Sequence, residues 1–263
     1  MKIVRWLSLG LIILGLACLL KQERDPCKNE EYPKIMKDKA RVDFGREDYY
    51  SALEDILEAK RCNPKDPEVY YWLGRIYLAR QEKDKAKENF LFATKVNPDY
   101  SEAYLALGIM ALDEEDYESA VIYFQKATEN ELFREAYIAW NNLGYTYLQM
   151  GREKEAEKAL RRSLILNPNF CLAYCNLGEL RSRQKRGQEA EKNYKKALQL
   201  CPDLARAHRL LGLEYNRQGK ISLACQEFEL AKKYAPEESE EAKLAQQYFK
   251  LLNCIPLEKS EEK

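Results

Sequence analysis

Five glycines, Gly74, Gly108, Gly144, Gly178 and Gly212, recur at intervals of 34, 36, 34 and 34 residues. The segments around them repeat as well. Ala139-Trp140-Asn141-Asn142-Leu143-Gly144-Tyr145-Thr146-Tyr147-Leu148 and Cys171-Leu172-Ala173-Tyr174-Cys175-Asn176-Leu177-Gly178 read as two copies of one helix. The copies are plainest over 137–202. A fixed period of this length constrains the fold more than any other feature. Each unit is too small to bury its apolar face alone, so neighbouring units must stack to make a continuous core.

The period divides the chain into six repeats, at about 33–66, 67–100, 101–136, 137–170, 171–204 and 205–238. Leu, Tyr and Phe at three- and four-residue spacings give each repeat two apolar helical stripes. Gly or Ala in the first helix is expected to admit the alanine of the second, since helix separation follows the side chains at the contact. A glycine or polar cluster marks each inter-helix turn: Gln81-Glu82-Lys83-Asp84, Asp113-Glu114-Glu115-Asp116, Gly151, Gly187 and Gly219. Asn-Pro or Cys-Pro ends the second helix, because proline disfavours helix in the residue before it. The third repeat has no closing proline.

This pattern resembles the tetratricopeptide repeat over about 33–238. The resemblance implies an all-α, right-handed α-solenoid of about six repeats within 33–254. Residues 239–254 are polar on one face (Glu240, Glu241, Lys243, Gln246) and apolar on the other (Ala242, Ala245, Phe249, Leu252), as a C-terminal capping helix must be. Residues 255–263 are expected to be a disordered charged tail.

Composition excludes several function classes. Lys+Arg and Asp+Glu each total 43, so no net charge draws the chain to nucleic acid. A single histidine argues against a histidine-based metal site or triad. That residue, His208, takes a core-facing place where other repeats carry Tyr or Trp, and is expected to be a packed residue. Acidic pairs such as Glu114-Glu115 and Glu237-Glu238 fall in turns or helix starts, where they favour the helix dipole. The glycines serve packing, turns and the leader, which leaves none for a phosphate-binding loop. No cofactor, metal, small-molecule substrate or catalytic activity is expected.

The first residues read as an address. Lys2 and Arg5 precede an apolar run from Trp6 to Leu16, followed by Ala17-Cys18 and then polar Lys21-Gln22-Glu23-Arg24-Asp25. This is the pattern of a secretory signal, expected over 1–17, and the run is short for a membrane span. Leu14-Gly15-Leu16-Ala17-Cys18 resembles the lipobox of bacterial lipoproteins, with Gly15 at the usual leucine place. The resemblance implies a lipidated Cys18, an 18–32 tether and, with Leu19 following, the periplasmic face of the outer membrane. The acyl chains on such a cysteine suffice for stable anchoring.

The first helices of stacked repeats line a concave groove. The expected lining is Leu105, Ile109 and Leu112 in repeat 3, then Ile138, Asn141, Tyr145 and Leu148 in repeat 4. Repeats 5 and 6 add Glu179, Arg183, Arg206, Arg209, Asn216 and Arg217. The middle is thus apolar and the C-terminal third basic, a pattern suited to an extended or helical segment of a protein partner. The carboxylate clamp of chaperone-binding tetratricopeptide proteins is not expected. Repeats 4–6 offer only Asn141, Asn176 and Arg206 toward it.

An exported chain with eight cysteines sits where disulfides persist. With Cys18 set aside, seven remain, so at least one is unpaired within the chain. The candidate pairs are Cys225–Cys254, Cys171–Cys201 and Cys27–Cys62. Cys171 opens and Cys201 closes repeat 5 at one rim, and Cys225 and Cys254 meet at the opposite rim.

A lipobox followed by about six tetratricopeptide repeats resembles the pilotin lipoproteins of type IV pili. In that family the third repeat is two residues longer, as in the junction Glu131-Leu132-Phe133-Arg134-Glu135-Ala136-Tyr137 here. Trp140-Asn141-Asn142-Leu143-Gly144 and Tyr147-Leu148-Gln149-Met150-Gly151 are also similar to the family. The resemblance implies a scaffold that helps the secretin, the pore through which the pilus passes, assemble in the outer membrane. A lipidated adaptor that docks cell-wall hydrolases or other envelope proteins is the alternative.

Overall fold

The computed structural model describes residues 25–255, and these form thirteen α-helices with no strand. The leader, Cys18 and residues 256–263 of the tail lie outside the described residues. The helices fall into two compact units, Met1–Val96 and Asn97–Lys263.

In the first unit, a short 3₁₀ turn at Pro26–Lys28 leads into α1 (Tyr32–Gly45) and α2 (Tyr49–Cys62), then α3 (Pro67–Ala79) and α4 (Lys83–Val96). The described end of the tether is held to α2 twice. A disulfide joins Cys27 to Cys62, and Arg61 Nη1 donates to Asp25 Oδ1 at 3.2 Å. In the second unit, α5 (Ser101–Asp113), α6 (Tyr117–Ala127), α7 (Ala136–Gln149), α8 (Glu153–Leu166), α9 (Cys171–Arg183), α10 (Gly187–Leu200), α11 (Ala205–Arg217) and α12 (Ile221–Tyr234) form four further pairs. A last helix, α13 (Glu240–Leu251), follows on α12. Within each unit the helices pack in consecutive pairs and neighbouring pairs pack on one another, with α13 set against the last pair, the arrangement of a tetratricopeptide solenoid.

Local chemistry sets these elements. Asp48, Asp66, Asp116 and Ser239 each accept from a backbone N–H in the first turn of the helix they precede. Each turn within a pair holds one residue in the left-handed region: Glu47, Gln81, Glu115, Gly151, Lys185 and Gly219, with φ between 58° and 73°. The reading of Gly187 as a turn glycine is therefore corrected. Lys185 makes that turn and Gly187 opens α10, where a Cβ would run into the Glu214 carboxylate.

The packing role of the period glycines also differs from expectation. Each lies under a large side chain of the second helix, not its alanine. A Cβ at Gly178 would meet the Tyr194 ring at 2.5 Å, and Gly108 faces Phe124 at the same distance. The ring fills the space that a missing Cβ leaves, so these residues pack at close-packed density. In the third repeat, Asn130 does the work of the absent Asn-Pro. Its Oδ1 accepts from Leu132 N at 2.9 Å, as Asn97 accepts from Asp99 and Asn167 from Asn169. The longer junction then buries Phe133 while Leu132 stays exposed.

Candidate functional site

The first helices of repeats 3 to 6, α5, α7, α9 and α11, carry the expected groove residues. Their burial divides them. Ile109 is exposed, whereas Leu112, Ile138 and Tyr145 are partly buried. Leu105, Asn141 and Leu148 are not available as lining. Leu105 and Leu148 belong to the core around Leu143 and Leu160, and Leu148 is 0% exposed. The apolar stripe of α7 is wide enough that residues assigned to its inner edge face the next helix pair instead.

Asn141 is buried for another reason, since it belongs to a polar ladder that crosses three repeats. Asn176 Nδ2 donates to Asn141 Oδ1 at 2.9 Å, and Arg206 Nη1 donates to Asn176 Oδ1 at 2.9 Å. The Arg206 guanidinium lies 4.8 Å from the Tyr145 ring centre and forms an ion pair with Glu179. Glu179 also accepts from Arg183 Nη2 at 2.6 Å, and Arg183 Nη1 reaches back to the Leu148 carbonyl. The three residues that partly mimic a carboxylate clamp are thus brought together, but they bind one another. Burial alone would lower the Arg206 pKa. The acidic groups beside it, Cys175 first, then the Glu179 carboxylate and the Tyr145 hydroxyl, more than offset this, so the guanidinium stays charged.

The basic C-terminal third is corrected in the same way. Arg183 and Arg206 share Glu179, Arg209 pairs with Glu241 of the capping helix, and Arg217 pairs with the buried Glu214. Glu179 meets Arg206 and Glu241 meets Arg209 from 27 and 32 residues away in sequence, whereas Arg183 and Arg217 pair within their own helix, and each of these arginines thus has a carboxylate partner within the fold. Charge-assisted bonds of this kind fix side-chain direction as well as charge. The result is an internally paired polar stripe, with Tyr145 partly buried beside Arg206 and Ile109 exposed on α5.

The structure joins all six candidate disulfide cysteines: Cys27–Cys62, Cys171–Cys201 and Cys225–Cys254. Cys175 is free and fully buried, and burial pushes its thiol up to about 11, so it is neutral. Among the described residues no group of His, Cys, Asp and Glu is placed to hold a metal ion. His208 packs inside, stacked on Tyr234.

Sequence reading missed one further network. Buried Arg181 forms a two-pronged pair with Glu157, at 3.0 and 2.6 Å, and hydrogen bonds from Arg181 and Arg161 hold the Glu157 carboxyl down to about 2. The partners are 24 residues apart on α9 and α8, and nothing in their local sequence joins them.

Comparisons agree with this architecture. Residues 55–164 match the family described as the cilia and flagella-associated protein 70 middle TPR-like domain, and 171–204 match the tetratricopeptide repeat itself. No curated protein matches. Among solved structures, the chain is similar to the one described as a functional characterization of Pseudomonas aeruginosa pilF. That likeness has a TM-score of 0.72 at 19% identity, over 83% of this chain and 98% of that one. It is also similar to PilW, described as a widely conserved type IV pilus biogenesis factor. Here the TM-score is 0.70 at 25% identity, over 80% of this chain and 96% of the other. YrrB, described as a TPR protein with an unusual peptide-binding site, gives 0.53 at 21% identity, over 74% of this chain and 97% of that one. The chain is built of tetratricopeptide repeats, arranged as in solved tetratricopeptide solenoids.

Proposed function

We propose that this protein is a non-catalytic scaffold in type IV pilus biogenesis. It binds a protein partner, a secretin, along the inner face of the Asn97–Lys263 unit and promotes secretin assembly. A lipid on Cys18 holds it at the periplasmic face of the outer membrane. The observation that carries this reading is the similarity to PilW, a type IV pilus biogenesis factor, over 96% of the PilW chain. The lipobox-like Leu14-Gly15-Leu16-Ala17-Cys18 and the lengthened third repeat support it. Mechanistically, an anchored binder raises the local concentration of secretin subunits, and oligomerisation follows from that concentration.

The test is the amount of heat- and detergent-resistant secretin multimer in the outer membrane. It is measured with the gene present, absent, and carrying Cys18→Ala. Loss of multimer with monomer retained supports the reading, and the Cys18 variant reports on the anchor. Unchanged multimer in the deletion rejects the secretin partner and leaves a general envelope adaptor. A second variant, Ile109→Asp with Tyr145→Ala, locates the contact. It should weaken partner capture while helicity is kept, and unchanged capture moves the contact off this face.

A further inference from the structure

The Met1–Val96 unit holds an arginine that none of its own carboxylates uses. Among the described residues, Arg75, Arg134 and Arg162 lack an ion-pair partner. Arg134 and Arg162 are exposed, but Arg75 is partly buried. Its surroundings are aromatic. The guanidinium carbon lies 4.5 Å from the Trp72 ring centre, 4.8 Å from Phe44 and 5.8 Å from Tyr71. The neighbouring Arg41 also sits over Trp72, at 5.6 Å, yet it is held by Asp38 and Glu68. The two arginines therefore differ. One is neutralised within the fold, and the other is stacked, oriented and unmatched.

This arrangement has a chemical consequence. Stacking on rings fixes the plane of a guanidinium and leaves its edge of N–H donors free. No protein acceptor meets the Arg75 donors among the described residues. A planar fork held at a fixed angle is suited to a carboxylate, which accepts two parallel hydrogen bonds and supplies the missing charge. In its repeat, Arg75 holds the place that Ile109 and Tyr145 hold in theirs, which is a groove-facing register. The rings beside it offer an apolar surface to a side chain next to that carboxylate.

We propose that Arg75, with Trp72 and Phe44, forms a docking point for a peptide carboxylate flanked by an apolar or aromatic residue. The carboxylate is a chain terminus or an acidic side chain, and both present the same two oxygens. The site goes beyond the function proposed above, because it lies in the other unit and names a ligand chemistry. A failed secretin assay leaves it standing.

The test follows the Arg75 Nε–H and Trp72 indole signals of the isotope-labelled whole chain by NMR. The probes are N-acetyl-phenylalanine, N-acetyl-phenylalaninamide, and an Asp-Phe dipeptide capped at both ends. The free acid, the capped dipeptide or both should move the two signals to saturation, and the amide should bind about tenfold more weakly or not at all. Whichever carboxylate binds identifies the source. Arg75→Gln should erase the preference for acid over amide. Arg75→Lys, which keeps the charge without the fork, should weaken acid binding several-fold while retaining the fold. Equal binding of acid and amide to the unsubstituted chain, or acid binding that survives in a folded Arg75→Gln chain, overturns the proposal.

Discussion

His208 and Glu227 are joined at 2.7 Å, from Nδ1 to Oε2, while His208 Nε2 lies 2.9 Å from the Pro202 carbonyl. Both ring nitrogens thus face acceptors, and only the doubly protonated imidazole satisfies both. In other repeats a tyrosine hydroxyl makes the same reach to the proline carbonyl, Tyr70 to Pro64 and Tyr174 to Pro168. Burial by itself lowers the His208 pKa, but the Glu227 carboxylate and the Pro202 carbonyl outweigh it and hold the group above its ordinary value.

A pH dependence with a definite sign follows. A raised folded-state pKa contributes stability that is fully present below the unfolded value of about 6.5 and is lost as pH rises through the folded one. Thermal unfolding should therefore show the chain losing stability from mildly acidic to mildly alkaline pH. His208→Tyr restores the residue type of the other repeats and should flatten that slope. Equal slopes in the two chains would mean that folding does not shift the His208 pKa, and a His208 contribution of the opposite sign would mean that the folded state holds it neutral.

The Gly178–Tyr194 contact predicts a coupled pair. Gly178→Ala places a Cβ against the ring, and overpacking of this kind costs about 1–3 kcal/mol. The first repeat shows a different solution at the same places, with Ala40 and Ile56, both fully buried. Tyr194→Ile added to Gly178→Ala should therefore recover part of the loss, and a double-mutant cycle measures the coupling. Gly45 is the control. Nothing lies within 4 Å of its Cβ position, so Gly45→Ala should cost nothing in a urea titration.

How far such features were legible depends on where their partners lie. The repeat frame could be read because each packing pair, such as Gly108 with Phe124, sits at a fixed distance within one repeat and recurs. The polar ladder could not, because Asn141, Asn176 and Arg206 stand on three successive repeats. Their residue types alone suggested a groove open to ligand. Leu148 was misplaced because helical spacing gives an apolar stripe but not the angle at which the next pair covers it. Arg75 was passed over because arginine at a groove position looks solvated until the three rings around it are seen.

The turns carry a stability reserve. Lys185 and Glu115 hold left-handed backbone at φ of 59° and 58°, where Gly151 and Gly219 stand in equivalent turns. A side chain there costs roughly 1–2 kcal/mol relative to glycine. Part of the gain is returned through the greater freedom of glycine in the unfolded chain. Lys185→Gly and Glu115→Gly should each stabilise the chain by a net of about 0.5–1 kcal/mol, read as a higher urea midpoint. No gain at either site would mean that the side chain makes a compensating contact.

The Cys225–Cys254 bridge closes the end of the solenoid. It spans 29 residues and ties α12 to the segment after α13. The capping helix places Phe249 and Ala245 in the core beside Phe228, and Arg209 of α11 pairs with its Glu241. A loop of that length contributes about 3–4 kcal/mol in the chain-entropy model. The loss on removal should be local, because a terminal helix has a neighbour on one side only and a repeat array opens from its ends. Cys225→Ser with Cys254→Ser should therefore speed amide exchange across Glu240–Leu251 far more than in α7 or α8. Uniform acceleration through the whole Asn97–Lys263 unit would show instead that the cap and the repeats unfold as one cooperative body.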